Sequence, residues 1–328
     1  MDFLTACGRE NLTIQELKEL IIDEQTIWVL DEFGNTALHY ACKAGNLDIV
    51  KALIGTYKIP WNVVNNELVS AGQIAKSAGH NECYEYMVSE GCRAEFILGV
   101  LARSKVGEEK EEKISNVDYL NSKIEYTEDG KNLKGGFDTS EGVMMEWEKG
   151  LMKKHADIIE ILNVGFGLGL IDTFIQESLP KRHTIIEAHP DVYNFMLKNG
   201  WDKKLNVEIK FGRWQDVIED IGCFDGIFFD TFGENYDDLK QFLDHVPNLL
   251  KDENSVLSFF NGLAGTNSFF HDVYCRILSM DLQELGLSTE YIEEDVPKEI
   301  DEDGTWKNIS RRYFSLDKYR LPVCKLDY

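Results

Sequence analysis

The sequence predicts an all-α repeat domain followed by an α/β sheet that ends in an antiparallel hairpin. Three observations carry this. Near the start, small and apolar residues recur with a period of 34 residues, at helical spacing within each copy. From residue 117 onward, strand-like and helix-like stretches alternate, the pattern of parallel strands joined by crossover helices. The tail then reads strand, acidic loop, strand.

Composition bounds the rest. The 328 residues are 43% hydrophobic and 11% aromatic, enough for packed cores in two domains. Asp and Glu number 58 against 34 Lys and Arg, a formal charge of −24. Such a surface repels phosphate backbones and anionic membranes and attracts basic partners, so neither direct nucleic-acid binding nor membrane binding is expected. No run reaches the roughly 18–20 apolar residues of a membrane span, and the acidic N-terminus fits neither a signal nor a transit peptide. Seven cysteines are scattered without a Cys-x-x-Cys pair. They predict free thiols in a reducing cytosol or nucleus, and no metal site.

The repeat is clearest in "DEFGNTALHYACKAGNLDIVKALI", Asp31 to Ile54. A turn leads to a helix from Thr36, a glycine at Gly45, and a second helix with Leu47, Ile49, Val50, Leu53 and Ile54 on one face. "TALHYA" resembles the ankyrin Thr-Pro-Leu-His-x-Ala signature, and Ala75 and Gly79 follow Ala41 and Gly45 by 34 residues. The second copy is weaker, and "LTACGRENLTIQELKELI" is a degenerate first repeat or a cap. His39 is expected to make structural hydrogen bonds. The ankyrin-like domain is therefore assigned to 1–104, a charged linker to 105–116, and the sheet domain to 117–328.

In the second part, strands are expected at Ile158–Val164, His183–Glu187, Val207–Phe211, Gly226–Asp230 and Val256–Asn261. Helices are expected at Gly169–Glu177, Asp191–Asn199 and Asp237–Leu250, and the hairpin arms at "LSTEYIEEDV" and "ISRRYFSL". The chemistry begins at "IIEILNVGFGLGLIDTFIQ", where an apolar strand runs through Gly165, Gly167 and Gly169 into a helix. Such a Rossmann-like turn lets the backbone approach a ligand closely. Leu170 stands where a dinucleotide fingerprint would want glycine, which disfavours a nicotinamide oxidoreductase. Glu187 ends the next strand and can accept hydrogen bonds from both hydroxyls of a ribose. Asp230 lies at the carboxyl end of the fourth strand, where open α/β sheets bind ligands; capping of the next segment is the plainer alternative. Trp214 covers an adenine face or fills the core. Upstream, "EGVMMEWEKGLM" would, if helical, put Met144 and Glu148 on one face. With Met145, Trp147 and Met152 it offers a sulfur-rich wall suited to a sulfonium ligand, or is an ordinary amphipathic helix.

"VMMEWEKGLM", "ILNVGFGLGLIDTFIQ", "EAHPDVYNFM", "GRWQDV", "FDGIFFDTF" and "LSFFNGLAG", in this order, resemble the fungal δ-N arginine methyltransferase family. Its members join an ankyrin-like part to a catalytic domain similar to guanidinoacetate methyltransferase. The resemblance covers about 119 to the end, and the repeats agree with it. It implies a class I S-adenosylmethionine-dependent methyltransferase sheet. It also implies methylation of the internal (δ) guanidino nitrogen of arginine in a protein, typically a large-subunit ribosomal protein, in cytoplasm and nucleus. Residue by residue, the resemblance places S-adenosyl-L-methionine contacts on Phe166, Gly167, Leu168, Gly169, Leu170 and Ile171. Further contacts fall on Glu187, Ala188, His189, Trp214, Gln215 and Asp230; Met144 matches an upstream methionine contact and Tyr119 an aromatic cover. Glu148 and Asp230 would hold the guanidinium, with no metal. The alternatives are a small-molecule guanidinoacetate-type enzyme, against which the repeats argue, and an ankyrin scaffold with an inert catalytic fold, against which the complete set of site residues argues.

Overall fold

The computed structural model describes residues 2–104, 117–127, 130–135, 141–156, 162–232, 236–297, 306, 309 and 312–327. The expected linker at 105–116, the start of the first expected strand and most of the acidic loop before the last strand lie outside them. The chain divides into two compact units, Met1–Lys110 with Asn267–Ile277, and Glu111–Thr266 with Leu278–Tyr328.

The first unit stacks three helix pairs: α1 (Phe3–Cys7) with α2 (Ile14–Leu20), then, after the short α3 (Glu24–Ile27), α4 (Ala37–Ala44) with α5 (Leu47–Gly55), and α6 (Ala71–Ser77) with α7 (Asn81–Ser104). The period is written in the N-caps. Asp2, Thr36 and Ser70 cap α1, α4 and α6, each 34 residues after the last. At α1 and α6 the cap side chain accepts from a backbone N–H that the first helical turn leaves unpaired, and at α4 the His39 ring accepts from Thr36 N. The degenerate opening segment is thus a full repeat. Polar side chains then tie neighbours together. Asn46 Nδ2 donates to the carbonyls of Glu10 and Leu12 at 2.9 Å each. His39 Nδ1 accepts from Thr36 N at 3.1 Å while its Nε2 lies 3.2 Å from the Val69 carbonyl, the structural role expected for it. Gly45 closes α4 at φ +71, left-handed backbone that only glycine adopts without strain, and a Cβ there would strike the His80 ring. Within Asn267–Ile277, Phe269 packs against Gly72 and edge-on to Trp61 and Tyr84.

The second unit opens with α8 (Val117–Leu120) and a small antiparallel sheet of β1 (Glu125–Tyr126), β2 (Asn132–Gly135) and β3 (Glu141–Met145). The main elements follow as α9 (Lys149–Ala156), β4 (Leu162–Val164), α10 (Leu170–Glu177), β5 (His183–Glu187), α11 (Pro190–Lys198), β6 (Val207–Phe211), α12 (Trp214–Val217), β7 (Gly226–Phe229), α13 (Tyr236–Leu249), β8 (Val256–Phe259), α14 (Ser268–Glu284), β9 (Leu287–Asp295) and β10 (Lys318–Leu326). The strands form one sheet in the order β6-β5-β4-β7-β8-β10-β9. Strands β4 to β8 run parallel and β10 pairs antiparallel with both its neighbours. Every residue of β4, β5, β7 and β8 is buried, as expected where helices cover both faces.

Two expectations are corrected. "EGVMMEWEKGLM" is not one helix: β3 runs to Met145 and a 3-10 turn (Glu146–Glu148) leads into α9. Pairing of Met144 with Leu133 and Met145 with Asn132 outweighs the helical spacing. The second hairpin arm is Lys318–Leu326 rather than "ISRRYFSL". Tyr319, Leu321 and Cys324 supply its buried face, while Tyr313 and Phe314 from the earlier stretch pack beside Trp147.

Candidate active site

The site lies at the carboxyl ends of β4, β5 and β7, as the sheet topology dictates for a fold of this order. Val164 O accepts from Asp230 N at 2.9 Å, and Gly165 N donates to Ile186 O at 2.9 Å, so three strand ends are held level. Gly165 sits at φ +97, and a Cβ would collide with the Asp230 carbonyl oxygen. No other residue fits there without moving that strand end. Asn163 Nδ2 pins the turn from below, donating to Gly165 O at 2.8 Å and Asp172 Oδ2 at 2.9 Å. The loop then runs to Gly169, which caps α10.

Glu187 closes this loop. Its two carboxylate oxygens accept from Phe166 N at 2.9 Å and His189 N at 2.6 Å. Burial raises its pKa, against the pull of these amides. The backbone amides of Ala188 and Gly167 also hydrogen-bond to this carboxylate. Met144 reaches over the loop from β3, with its sulfur 3.4 Å from Leu168 N.

The cavity above the loop measures about 330 Å³, within the ordinary range of a small-ligand site. Glu148 and Asp230 both line it. Glu148 is 2% exposed, and one oxygen, Oε1, accepts from Met145 N at 2.8 Å and Tyr313 Oη at 2.5 Å. Burial first, and the Asp230 charge second, push its carboxyl up to about 8. Burial likewise pushes Asp230 up to about 7. Among the described residues no lysine or arginine pairs with either. A buried carboxylate and a half-buried one that line one cavity without a counter-charge are costly, and a bound cation relieves both penalties at once. Glu148 ends the 3-10 turn and lines the same cavity as Met144.

Of the residues the sequence singled out, Tyr119, Met144, Glu148, Gly167, Glu187, Ala188, Trp214, Gln215 and Asp230 line this cavity. Phe166, Leu168, Gly169, Leu170, Ile171, His189 and Met152 do not stand among its lining residues. Phe166, Ile171 and Met152 fill the core beneath the loop, and Leu168 and Leu170 pack against that core. His189 is buried as the N-cap of α11, with Nδ1 accepting from Asp191 N and Nε2 by Ser122 O, and its ring lies 5.0 Å from that of Tyr119. Trp214 is 3% exposed and edge-on to Phe229 and Phe242, a core residue whose rim meets the cavity. Sequence reasoning missed Tyr313, Thr231 and Phe260, which also line it. Tyr313 was assigned to a strand; an aromatic among "SRRYFS" carries no signal that it reaches Glu148.

A family model described as ankyrin repeats, three copies, matches residues 4–96, and one described as guanidinoacetate N-methyltransferase matches 111–319. Several curated fungal proteins named protein arginine N-methyltransferase 2 are similar to this chain. That of Cryptococcus neoformans is 34% identical over 94% of this chain and 91% of its own length. The Saccharomyces cerevisiae protein is 31% identical over 88% of this chain and 82% of its own. The Yarrowia lipolytica protein is 44% identical over 64% of this chain, a match that spans about half of that relative (47%).

Proposed function

We propose that this chain, which belongs to the protein arginine N-methyltransferase 2 family, methylates the internal (δ) guanidino nitrogen of an arginine in a basic protein, a large-subunit ribosomal protein in particular. It is an S-adenosyl-L-methionine-dependent arginine N-methyltransferase, with ankyrin repeats and a class I methyltransferase fold. The observation that carries the finer reading is the unpaired carboxylate pair Glu148 and Asp230 in one cavity with the glycine loop and Glu187.

The residues present fit the cofactor. Glu187 accepts the ribose hydroxyls, the loop between Gly165 and Gly169 offers backbone to the ligand, and Met144 and Tyr119 wall the cavity with sulfur and aromatic surface. Tyr126 Oη, 3.5 Å from Gly167 O, braces the loop. Bound there, S-adenosyl-L-methionine supplies a methyl group on a positively charged sulfur.

An arginine guanidinium is a poor nucleophile, because its lone pairs are delocalised and its pKa exceeds about 12. Glu148 and Asp230 overcome this by holding the two terminal nitrogens through charge-assisted hydrogen bonds. The fork then presents the internal nitrogen to the methyl group. Binding the cation draws both carboxyls down into their ionised forms. One of the two carboxylates would take a terminal N–H proton from the guanidinium as the internal nitrogen is methylated, so that the product guanidine is left neutral and can reprotonate from solvent. Tyr313 and the Met145 amide fix Glu148 Oε1, leaving Oε2 for the substrate.

The repeats dock the protein substrate, and the cytoplasm and nucleus are the proposed compartments. The cysteines support a reducing one, since all seven are free and six are buried. The match to a guanidinoacetate enzyme model keeps a small-molecule substrate as the second reading. Incubating the chain with labelled S-adenosyl-L-methionine and fungal extract, followed by mass spectrometry, decides between them. Label on the internal nitrogen of a protein arginine supports the proposal; label only on terminal nitrogens, or only in small molecules, overturns it.

A further inference from the structure

Large apolar side chains of the repeat unit stand exposed at Ile22, 90%, and in the loops that precede α4 and α6. Trp28 is 54% exposed, Leu30 56%, Phe33 58% and Leu68 73%, with Val29 at 45%. Most large apolar side chains of this unit behave otherwise: Leu38, Ile49, Val50 and Leu53 are fully buried. Hydrogen bonds tie the loops that carry the exposed set to one another. Asn66 N donates to Phe33 O at 3.0 Å, Asn65 Nδ2 to Asn35 Oδ1 at 2.9 Å, and Asn66 Nδ2 to Glu32 O at 3.3 Å. These bonds join the turn around Phe33 to the turn around Leu68. Trp28 and Leu30 lie within three residues of Asp31, which accepts from Phe33 N and Asn35 N and so fixes the first turn to them.

The charge on this ridge has one sign. Between residues 21–36 and 59–70 stand Asp23, Glu24, Asp31, Glu32 and Glu67, and no lysine or arginine at all. An apolar strip rimmed by acid repels acidic and membrane surfaces and complements a basic segment that carries apolar anchors. A protein that presents arginine to the catalytic unit has that character. We infer that the ridge of Trp28, Val29, Leu30, Phe33 and Leu68 docks a basic, apolar-bearing segment of the protein substrate, away from the arginine that is methylated. The inference rests on the reading of the chain as a protein methyltransferase. It adds the place on the repeats where the substrate binds and the chemistry that is recognised.

The test uses the full chain and a fluorescein-labelled 18-residue peptide in which lysine alternates with leucine and phenylalanine. Two control peptides replace every lysine by glutamate, or every leucine and phenylalanine by serine. Anisotropy titration should show the basic apolar peptide binding at least tenfold more tightly than either control, with affinity falling as salt rises. The triple variant Trp28→Ala, Phe33→Ala, Leu68→Ala should lose that binding at least tenfold while keeping its circular dichroism and its affinity for S-adenosyl-L-methionine. These residues are exposed, so the substitutions remove little packing. Unchanged peptide affinity in the folded triple variant overturns the inference, as does equal binding of the glutamate peptide. Self-association of the wild-type chain that the triple variant abolishes, without peptide binding, assigns the ridge to a second copy and also overturns it. Methylation is not the readout, so an inactive catalytic unit would leave this result standing, and an active one would not rescue it.

Discussion

His39 in the repeat unit and Glu148 in the catalytic unit are both almost wholly buried, at 1% and 2% exposure, and each accepts a hydrogen bond from the backbone N–H three residues before it. Their surroundings differ. His39 has a partner on each ring nitrogen, and burial lowers its pKa so that it stays neutral. Glu148 has both its described hydrogen bonds on one oxygen, a second carboxylate nearby and no cation. A buried polar group with every partner supplied by its own fold is architecture. One left short of a counter-charge is waiting for a ligand.

The strongest way to break this contrast is Glu148→Gln, which keeps the size and removes the charge. Single-turnover methylation at saturating cofactor should fall by about 10²–10⁴, with S-adenosyl-L-methionine affinity within about twofold of wild type. Asp230→Asn should fall comparably, and the double variant by less than the product, since both act on one guanidinium. A wild-type rate for Glu148→Gln would reduce Glu148 to a buried turn residue.

Glu187→Ala tests the other half of the cavity. Loss of a charged acceptor should weaken cofactor binding by about 1–3 kcal/mol, or roughly 5- to 150-fold, in a calorimetric titration. Unchanged affinity in the folded variant would place the cofactor elsewhere.

The pH profile sharpens the comparison further. With the Glu148 and Asp230 carboxyls at about 8 and 7, the rate should climb as pH rises from about 6 to 9 while the pair ionises. The Tyr313 hydrogen bond lowers Glu148, so Tyr313→Phe should shift the climb to higher pH and cut the neutral rate by about tenfold. A profile that does not move would make Tyr313 a packing residue only.

The smallest effects are on stability and have opposite signs in the two units. His39→Ala removes satisfied hydrogen bonds and should destabilise the repeat unit by about 1–3 kcal/mol in urea unfolding, without touching cofactor affinity. Glu148 holds its proton in the folded state up to about pH 8 but loses it near 4.5 when unfolded. Its contribution to stability is therefore lost as pH rises between those values. Glu148→Gln should melt higher than wild type at pH 8, by about 2–4 °C for each kcal/mol recovered, and lose that advantage near pH 4.5. Equal melting at both pH values would contradict the buried, raised carboxyl.

Much of this was legible before any coordinates. The 34-residue period, the five parallel strands β4 to β8 and the carboxyl-end positions of Glu187 and Asp230 all follow from local pattern. What was not legible depended on pairing across the chain. Met144 and Met145 read as helix because only β2 shows they belong to a strand. Tyr313 lies 165 residues from Glu148, a contact no local spacing encodes. The last strand was misplaced because its alternation is interrupted by Pro322, which is tolerated where the ladder to β8 covers only Cys324 and Lys325. The helix α14, which begins in the Asn267–Ile277 segment, is absent from the sequence expectations, and nothing in its pattern marks that segment as packing with the repeats.

Gly165 carries a last consequence. Its backbone lies so close against the Asp230 carbonyl that no side chain fits between them. In the proposed reaction the glycine loop beside the methyl donor and Asp230, which holds the guanidinium, are therefore gauged against each other by main chain, without an intervening rotamer to adjust the gap. Such a gauge does not stretch to suit a bulkier acceptor. In that reaction, new substrates for this scaffold would arise by changing what carries the arginine, because main chain sets the gap between the glycine loop and Asp230.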